Sequence, residues 1–289
     1  MRQIENEFLL VRARENGAEL TSVFDKKTKI EHLWQADSAF WAWHAPVLFP
    51  VIGRCLNDEI SIDGRAYKME KHGFARKSNF KLLDLEETKM VFSLTWSDDT
   101  LKIYPYRFEF LVGYRLKGNE LICSFEVINK DTKTIFFQLG GHPAFAVPFK
   151  PNEKYEDYYL EFGSHENSSR HLINEAGYFN GQTVPMLDNS NRISLLPDLF
   201  RDDAIIFKDL KSTEVSIRSK NHSEYLSVAY AGFNYLGIWA KVNASYVCIE
   251  PWLGCADSAD KPLAFSAREG VIRLEPEQEY SAAFRIKAG

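Results

Sequence analysis

The chain is a succession of short runs in which apolar and polar residues alternate, and each run ends at a turn signal. Such runs recur at roughly ten-residue spacing, a pattern typical of an antiparallel sandwich or barrel. Alternation places the apolar side chains on one face of a strand, so it predicts strands and not helices. Asp63-Gly64, between residues 59–62 and 66–69, is a strong two-residue hairpin signal. The pattern therefore limits the fold to antiparallel β-sheet.

Fifteen runs are predicted as strands on this basis. They are residues 8–14, 20–24, 59–62, 66–69, 80–85, 90–96, 108–116, 121–129, 134–139, 214–218, 225–230, 235–240, 246–250, 271–274 and 280–286. Helical patterns are nearly absent, and only residues 38–43 and 195–201 are predicted to form a helical turn each. Residues 148–157 are rich in Pro, Lys, Glu and Asp and are predicted to form a long surface loop.

No linker, low-complexity tract or repeat divides the 289 residues. We therefore predict an all-β chain with one domain over residues 1–289, a single large antiparallel β-sandwich. A chain of this length buries enough apolar surface to be stable without disulfides or metals.

Composition argues against several classes of partner. A net charge of −5 provides no basic surface, so we expect neither nucleic acid nor an anionic membrane as partner. The first residues lack the apolar stretch of a signal peptide, and no run of ~18 apolar residues occurs, so we predict a cytoplasmic protein. The cysteines are scattered among apolar neighbours and are predicted to be buried, reduced thiols. They are Cys55, Cys123, Cys248 and Cys255.

Two histidines and one glutamate carry the chemistry that the sequence predicts. His72 precedes Gly73, His142 precedes Pro143, and Glu250 ends the apolar run 246–249. Proline forces the residue before it into an extended conformation, which helps to fix that histidine. Burial would raise the pKa of Glu250 toward that of a useful base, and imidazoles titrate near neutral pH. These residues predict acid–base proton transfer on a polar, uncharged substrate.

No pair of histidines has the spacing of a short metal motif, so we predict neither metal nor cofactor. Three further residues are candidates for binding. Arg54 follows an apolar run and Gly53, and its fork of donors suits neighbouring hydroxyls, although a simple surface charge explains it equally well. Trp252 offers a face for a ring. Asp203 is a weaker candidate, because Asp commonly begins strands for turn reasons.

Four segments, in this order, resemble the aldose 1-epimerase (galactose mutarotase) family. They are Pro-Val-Leu-Phe-Pro-Val-Ile-Gly-Arg ending at Arg54, His-Gly-Phe-Ala-Arg from His72, Gly-His-Pro-Ala-Phe around His142, and Ile-Glu-Pro-Trp around Glu250. Within the family, the chain is most similar to the bacterial mutarotase-like branch associated with lactose-operon proteins. No single segment is decisive, but all four in the family order are quite specific.

The resemblance implies a galactose mutarotase-like supersandwich and interconversion of the α and β anomers of an aldose. It implies that Glu250 takes the proton of the anomeric hydroxyl while His142 protonates the ring oxygen. It further implies that His72 and Arg54 bind hydroxyls and polarise the sugar. Asp203 is the best match to a sugar-binding aspartate of the family.

The substrate stays open at this point. Arg76, in the His-Gly-Phe-Ala-Arg segment, also resembles the hexose-6-phosphate mutarotase branch. A phosphosugar epimerase would need Arg54, Arg76 and Lys71 to converge on a phosphate. The expected partner is thus a small-molecule aldose or a sugar phosphate, and the oligomeric state is not predicted. A catalytically silent carbohydrate-binding or regulatory protein on the same fold is the alternative from another class. A polysaccharide lyase on a related sandwich is less favoured, because no long basic groove is evident.

Overall fold

Strands dominate the computed structural model, which describes residues 1–260 and 262–289. About 51% of the residues are strand and 6% are helix, which confirms the predicted all-β class. The longest sheet has 15 antiparallel strands, and sheets this wide curl under their own twist. The chain forms the predicted large antiparallel β-sandwich. That residues 1–289 make up one domain stays a prediction.

The elements follow one another in chain order as β1 to β22, with one α-helix, α1, at Asp98–Ile103. Strands β1 to β13 are Arg2–Glu5, Leu9–Ala13, Leu20–Asp25, Val47–Leu48, Glu59–Ile62, Arg65–Lys68, Lys81–Leu85, Lys89–Thr95, Phe108–Lys117, Glu120–Asn129, Ile135–Phe137, Leu139–Gly141 and Ala144–Ala146. Strands β14 to β22 are Tyr158–Ile173, Phe179–Ser194, Ile205–Phe207, Glu214–Ser219, Tyr225–Ala229, Tyr235–Trp239, Tyr246–Leu253, Ile272–Leu274 and Glu279–Ala288. Four 3-10 turns complete the list: Leu56–Asp58, Ala75–Lys77, Tyr155–Asp157 and Phe265–Ala267.

The large sheet runs in the order β4-β12-β20-β19-β16-β14-β17-β18-β22-β10-β9-β8-β7. Two more strands join it from the side: β13 pairs with β20, and β15 pairs with β14. Smaller sheets are β1-β2-β3, β11-β21 and β5-β6. Strand β20 therefore has β12 and β13 along one edge and β19 along the other, which makes it a central strand.

Burial along the strands explains why the sequence pattern was readable. In β10 every second residue is buried, so its alternation of apolar and polar residues is regular. In β20 all eight residues are buried, which is why its sequence reads as a continuous apolar run. A carboxylate inside such a strand is unusual, and Glu250 is that carboxylate.

Two local predictions were wrong, and two elements were not predicted. Residues 38–43 and 195–201 contain turns and no helix. The α-helix lies instead at α1, where Ser97 and Thr100 form a capping box. This signal is separate from the alternation of apolar and polar residues that predicted the strands. The long hairpin of β14 and β15 was not predicted either. Beyond its first five residues, the buried positions of β14 are polar (Glu166 and Ser168), and six consecutive residues of β15 are exposed, so neither has a sustained alternating apolar pattern.

The four cysteines are buried and unpaired, as predicted. Among the described residues, no helix is long and apolar enough to cross a membrane. The cytoplasmic location stays a prediction.

His32 is a buried histidine that lies outside the site described below and gives a first testable prediction. Its ring contacts Phe149 edge-on at 5.1 Å, and neither ring nitrogen has a hydrogen-bond partner among the described residues. Burial lowers its pKa to about 4, against a smaller opposing effect of Asp25. In the unfolded chain the imidazole of His32 binds a proton near the ordinary pKa of about 6.5, whereas in the folded chain it stays neutral down to about pH 4. His32 therefore destabilises the fold increasingly as the pH falls from about 6.5 toward 4.

Replacing His32 by Leu should therefore raise the free energy of unfolding by about 1–2 kcal/mol at pH 8, where only the unsatisfied polar atoms are removed. At pH 5 the gain should be about 2 kcal/mol larger, because the proton uptake of the unfolded chain is removed as well. Urea unfolding at both pH values measures this difference. A gain that does not depend on pH would contradict the assignment.

Candidate active site

Pairing around β20 assembles the core of the site. Glu250 and Trp252 are two residues apart in β20, so their side chains share one face of the strand. His142 lies between β12 and β13, which both pair with β20. These pairings bring His142 beside Glu250 although the two are far apart in sequence.

His142 and Glu250 are in direct contact, with 3.0 Å between Nε2 and Oε2. Both side chains are buried, with exposed fractions of 8% and 1% for the two residues. Glu250 Oε2 and His142 Nδ1 have no well-aligned hydrogen-bond partner within the described part of the chain. Buried polar atoms without partners cost free energy. A ligand with several hydroxyl groups would supply the missing partners.

Burial shifts the two groups of this pair in opposite directions. Desolvation lowers the pKa of His142 to about 3. Desolvation also raises the pKa of Glu250 well above its ordinary value, while Lys71 opposes the shift and Asp203 adds to it. Both shifts favour the uncharged forms, so the pair holds a single proton over a wide range of pH.

His72 is a neutral donor next to this pair. Its ring lies edge-on to that of His142, with 5.6 Å between the centroids. Its Nδ1 accepts a hydrogen bond from the backbone N–H of Gly53 at 3.2 Å. The neutral ring therefore carries its proton on Nε2. Burial, reinforced by the nearby Lys71, keeps the pKa of His72 well below its ordinary value.

Three indoles border the same space. Trp41 stacks on the His142 ring at 4.9 Å, and Trp239 meets that ring edge-on at 6.2 Å. Trp252 is buried and lies 6.4 Å from the His72 ring. Only Trp252 was predicted from sequence. The other two had no distinguishing signal, because in a β protein most aromatic residues belong to the core.

These groups line a cavity of about 930 Å³. Six of the seven residues that the sequence analysis selected are on its wall: His72, Arg76, His142, Asp203, Glu250 and Trp252. Polar residues that the sequence analysis did not select also border it, among them Asn174, Glu175, Arg201 and Lys241.

Arg54 lies apart from these six residues, and that it binds the sugar stays a prediction. Its guanidinium binds Asp58 with two hydrogen bonds of 2.7 and 2.8 Å. It borders a neighbouring cavity of about 770 Å³. Gly53, which lines the first cavity, has φ 66°, and the residue after it, Arg54, pairs with Asp58.

Arg76 and Lys71 border both cavities. Arg76 donates to the Lys71 carbonyl at 2.8 Å and lies over the ring of Trp43 at 5.5 Å. Neither cation forms an ion pair with a carboxylate of the residues that the structure describes. Asp203 also borders both cavities, and its Oδ1 accepts the N–H of Ala204 at 2.7 Å. The roles of all these side chains stay predictions.

One set of side chains has the composition of a metal site. Donor atoms of His142, Cys248 and Glu250 all lie within 4.8 Å of one another, and all three residues are buried. Imidazole, thiolate and carboxylate are donors that zinc accepts in proteins. Cys248 and Glu250 are two residues apart on β20, and only the fold brings His142 to them, so histidine spacing in the sequence did not indicate this set. That the protein uses no metal stays a prediction.

Comparison with known proteins places the chain in a family. A family model described as aldose 1-epimerase matches residues 2–286. The chain belongs to the aldose 1-epimerase family. It is 35% identical over 283 residues to protein LacX of Lactococcus lactis subsp. lactis, covering 95% of this chain and 94% of that protein. The predicted family is thereby confirmed.

Solved structures of family members have the same fold. A galactose mutarotase related enzyme from Lactobacillus acidophilus superposes with a TM-score of 0.94 at 34% identity, covering 99% of this chain and 96% of that one. A galactose mutarotase-like protein from Lactobacillus casei ATCC 334 gives 0.93 at 30% identity, with 100% of both chains covered. The predicted galactose mutarotase-like fold is confirmed. Family and fold together support a sugar epimerase or mutarotase-like function with a small-molecule sugar as ligand.

Proposed function

We propose that the protein is an aldose 1-epimerase that interconverts the α and β anomers of a hexose. The observation that carries the proposal is the buried contact of His142 Nε2 with Glu250 Oε2 on the wall of a large cavity. One carboxyl and one imidazole that share a proton provide both the base and the acid that ring opening requires. Indole faces beside them suit the C–H faces of a sugar ring.

In the proposed mechanism Glu250 removes the proton of the anomeric hydroxyl, and His142 donates a proton to the ring oxygen. The bond between C1 and the ring oxygen breaks, and the open-chain aldehyde rotates about its C1–C2 bond. Closure on the other face of the carbonyl reverses both proton transfers. Ring opening moves one proton onto Glu250 and one off His142, and closure reverses this, so the pair holds the same number of protons before and after the reaction and can act in either direction.

His72 is assigned a binding role. Its Nδ1 accepts from the Gly53 backbone, so only the Nε2 proton is free to meet the ligand. The hydrogen bond from a buried neutral donor strengthens as negative charge develops on the sugar oxygen that it contacts. We therefore assign to His72 the hydrogen bond that polarises the substrate.

Polarimetry of freshly dissolved α-glucose and α-galactose, with and without protein, tests the proposal. We expect the protein to accelerate the approach to the equilibrium rotation for at least one of these sugars. A variant at Glu250 serves as the inactive control. A folded protein that accelerates neither these sugars nor a sugar phosphate would favour the catalytically silent carbohydrate-binding alternative.

A sugar phosphate is the second candidate substrate, and the unpaired cations Lys71 and Arg76 on the cavity wall favour it. If they bind a phosphate, glucose 6-phosphate should give a higher kcat/KM than glucose. Arg76→Ala should then lower kcat/KM about 10-fold for glucose 6-phosphate and much less for glucose. Only the phosphorylated sugar loses a charge-assisted hydrogen bond to the arginine. Equal rates for both sugars, unchanged in the variant, would exclude this candidate.

The pH dependence of kcat/KM follows from the shared proton. Below about pH 3 the pair binds a second proton, on His142, and no base remains. As the pH rises through the raised pKa of Glu250, the pair loses its only proton and no acid remains. We expect a bell-shaped profile whose acid limb lies well below the ordinary histidine pKa of about 6.5. Rates corrected for the uncatalysed reaction at each pH measure it, and an acid limb centred near 6.5 would contradict the assignment.

A further inference from the structure

The indole of Trp252 lies across two glycines of the neighbouring strands. Gly140 of β12 pairs with Trp252, and Gly237 of β19 pairs with Glu250. A Cβ atom at Gly140 would lie 2.8 Å from the indole Cδ1, and a Cβ atom at Gly237 would lie 2.6 Å from Cζ2 and Cη2. Glycine in a strand often marks such a close approach. In the indole, Nε1 is bonded to Cδ1 and separated from Cζ2 by Cε2 alone, so these contacts fix the position of Nε1.

The indole is covered, and its nitrogen has no partner. Trp252 is 5% exposed and packs in a small apolar cluster with Leu48, Ile52, Ile206 and Tyr235. Little of its ring is therefore left for a sugar, in contrast to the half-buried rings of Trp41 and Trp239. Nε1 is buried without a well-aligned hydrogen-bond partner among the described residues. A buried donor in this state costs free energy, so its retention points to a functional acceptor.

The carboxylate of Glu250 is an acceptor in the right place. Glu250 is two residues before Trp252 in β20, so both side chains are on one face of the strand. Its Oε2 also lacks a well-aligned partner within residues 1–260 and 262–289. Burial has the largest effect on the pKa of Glu250 and raises it, whereas Lys71 and hydrogen bonding by the Trp252 indole lower it. The N–H group is therefore close enough to act on the carboxylate.

We propose that Trp252 is a positioning residue for Glu250, whose carboxylate accepts the indole N–H in the form where His142 holds the proton of the pair. The proposed function, on which this inference rests, starts from that form, because Glu250 must accept a proton and His142 must supply one. Burial alone favours the opposite form, in which both groups are uncharged. A hydrogen bond to a carboxylate is stronger than one to a neutral carboxyl group, so the indole shifts the proton toward His142.

Other groups also act on Glu250, and a test must leave them unchanged. His142 is at 3.0 Å, and donor atoms of Cys248 lie within 4.8 Å. Further titratable or charged groups near the carboxyl and the indole are Tyr246 on β20 and Lys71, His72 and Asp203 in loops. On β19 the residue paired with Glu250 is Gly237, which has no side chain. Trp252→Phe retains an aromatic ring between the glycines, removes the N–H donor and alters none of these groups.

The pH dependence of kcat/KM in Trp252→Phe tests the proposal. We expect kcat to fall about 10-fold at neutral pH, with KM changed less than about 3-fold. The alkaline limb should move up by roughly one pH unit, because Glu250 holds its proton more tightly without the N–H donor. Trp239→Phe is the matched control: it removes an indole from the same cavity wall and should leave the alkaline limb in place. An unmoved limb in Trp252→Phe would overturn the proposal, and a raised KM beside it would assign the indole to sugar stacking instead.

The NMR resonance of the Trp252 indole N–H gives a second arm that needs no turnover. In the wild-type protein without sugar, its proton shift should change with pH as the Glu250 carboxyl ionises. In Glu250→Gln the shift should stay constant over the same range. Trp252→Phe assigns the resonance, and a thermal unfolding curve shows that this variant is folded. If the wild-type protein turns over no sugar, the proposed function fails while this titration still reports on the contact. A wild-type resonance that does not titrate would overturn the positioning role whatever the activity.

Discussion

Replacing Glu250 by Gln is expected to lower kcat for mutarotation at least about 100-fold, with a much smaller change in KM. The amide retains the size of the carboxyl and one acceptor, but it cannot take the proton of the anomeric hydroxyl. The fold should be retained, because burial already favours the uncharged form of Glu250 and Gln is uncharged. Polarimetric rates and a thermal unfolding curve measure the two parts of this prediction.

His142→Asn is the companion variant and should show a comparable loss in kcat, because the acid for the ring oxygen is removed. Combining both variants should add little, since base and acid act in one step. Should Glu250→Gln retain more than about a tenth of the wild-type kcat, a loss under ~1.4 kcal/mol, Glu250 is not the general base. That result would favour the alternative of a catalytically silent carbohydrate-binding protein.

Gly73→Ala is expected to lower the free energy of unfolding by roughly 3 kcal/mol or more. Gly73 has φ 73°, and a Cβ atom there would lie 2.1 Å from the carbonyl oxygen of Phe49, in the backbone of the facing segment. That backbone cannot move away without also moving His72, whose N–H binds the Gly53 carbonyl at 2.8 Å. The variant should therefore lose activity as well as stability.

Gly64→Ala is the matched control for this effect. Gly64 has φ 77°, but a Cβ atom there would meet nothing within 4 Å. Its substitution should cost only the ~1–2 kcal/mol of a left-handed residue. Urea unfolding of both variants isolates the contribution of the close contact at Gly73. Equal losses in the two variants would show that the contact is relieved by a small shift.

Strands in which buried and partly buried residues alternate regularly were predicted well. β5 begins and ends at the predicted residues, and β10 differs by one residue at its start. β15 was not predicted because six consecutive exposed residues remove the two-residue period of apolar side chains. β14 was not predicted because Glu166 and Ser168 occupy buried positions where the pattern requires apolar residues. The helix α1 was not predicted because its only sequence signal is a capping box, and it has no buried apolar face that would give a helical period.

At the site, the sequence by itself determined the chemical groups. His72, His142 and Glu250 each stand beside a residue whose backbone is restricted or permissive, namely Gly73, Pro143 and Pro251. Such signals involve only neighbouring residues, so they can be recognised from the sequence without knowledge of the fold. The same signals, in their order, predicted the family that the comparisons confirm.

Only the tertiary structure decided which groups meet. The pairing of β20 with β12 and β13 sets the 3.0 Å contact of His142 with Glu250 and places Cys248 next to both. The same packing brings Trp41 and Trp239 to the cavity and pairs Arg54 with Asp58 beside the neighbouring cavity. These outcomes depend on strand order and on side-chain direction across the sheet. Both are set by long-range pairing, which a one-dimensional pattern does not encode.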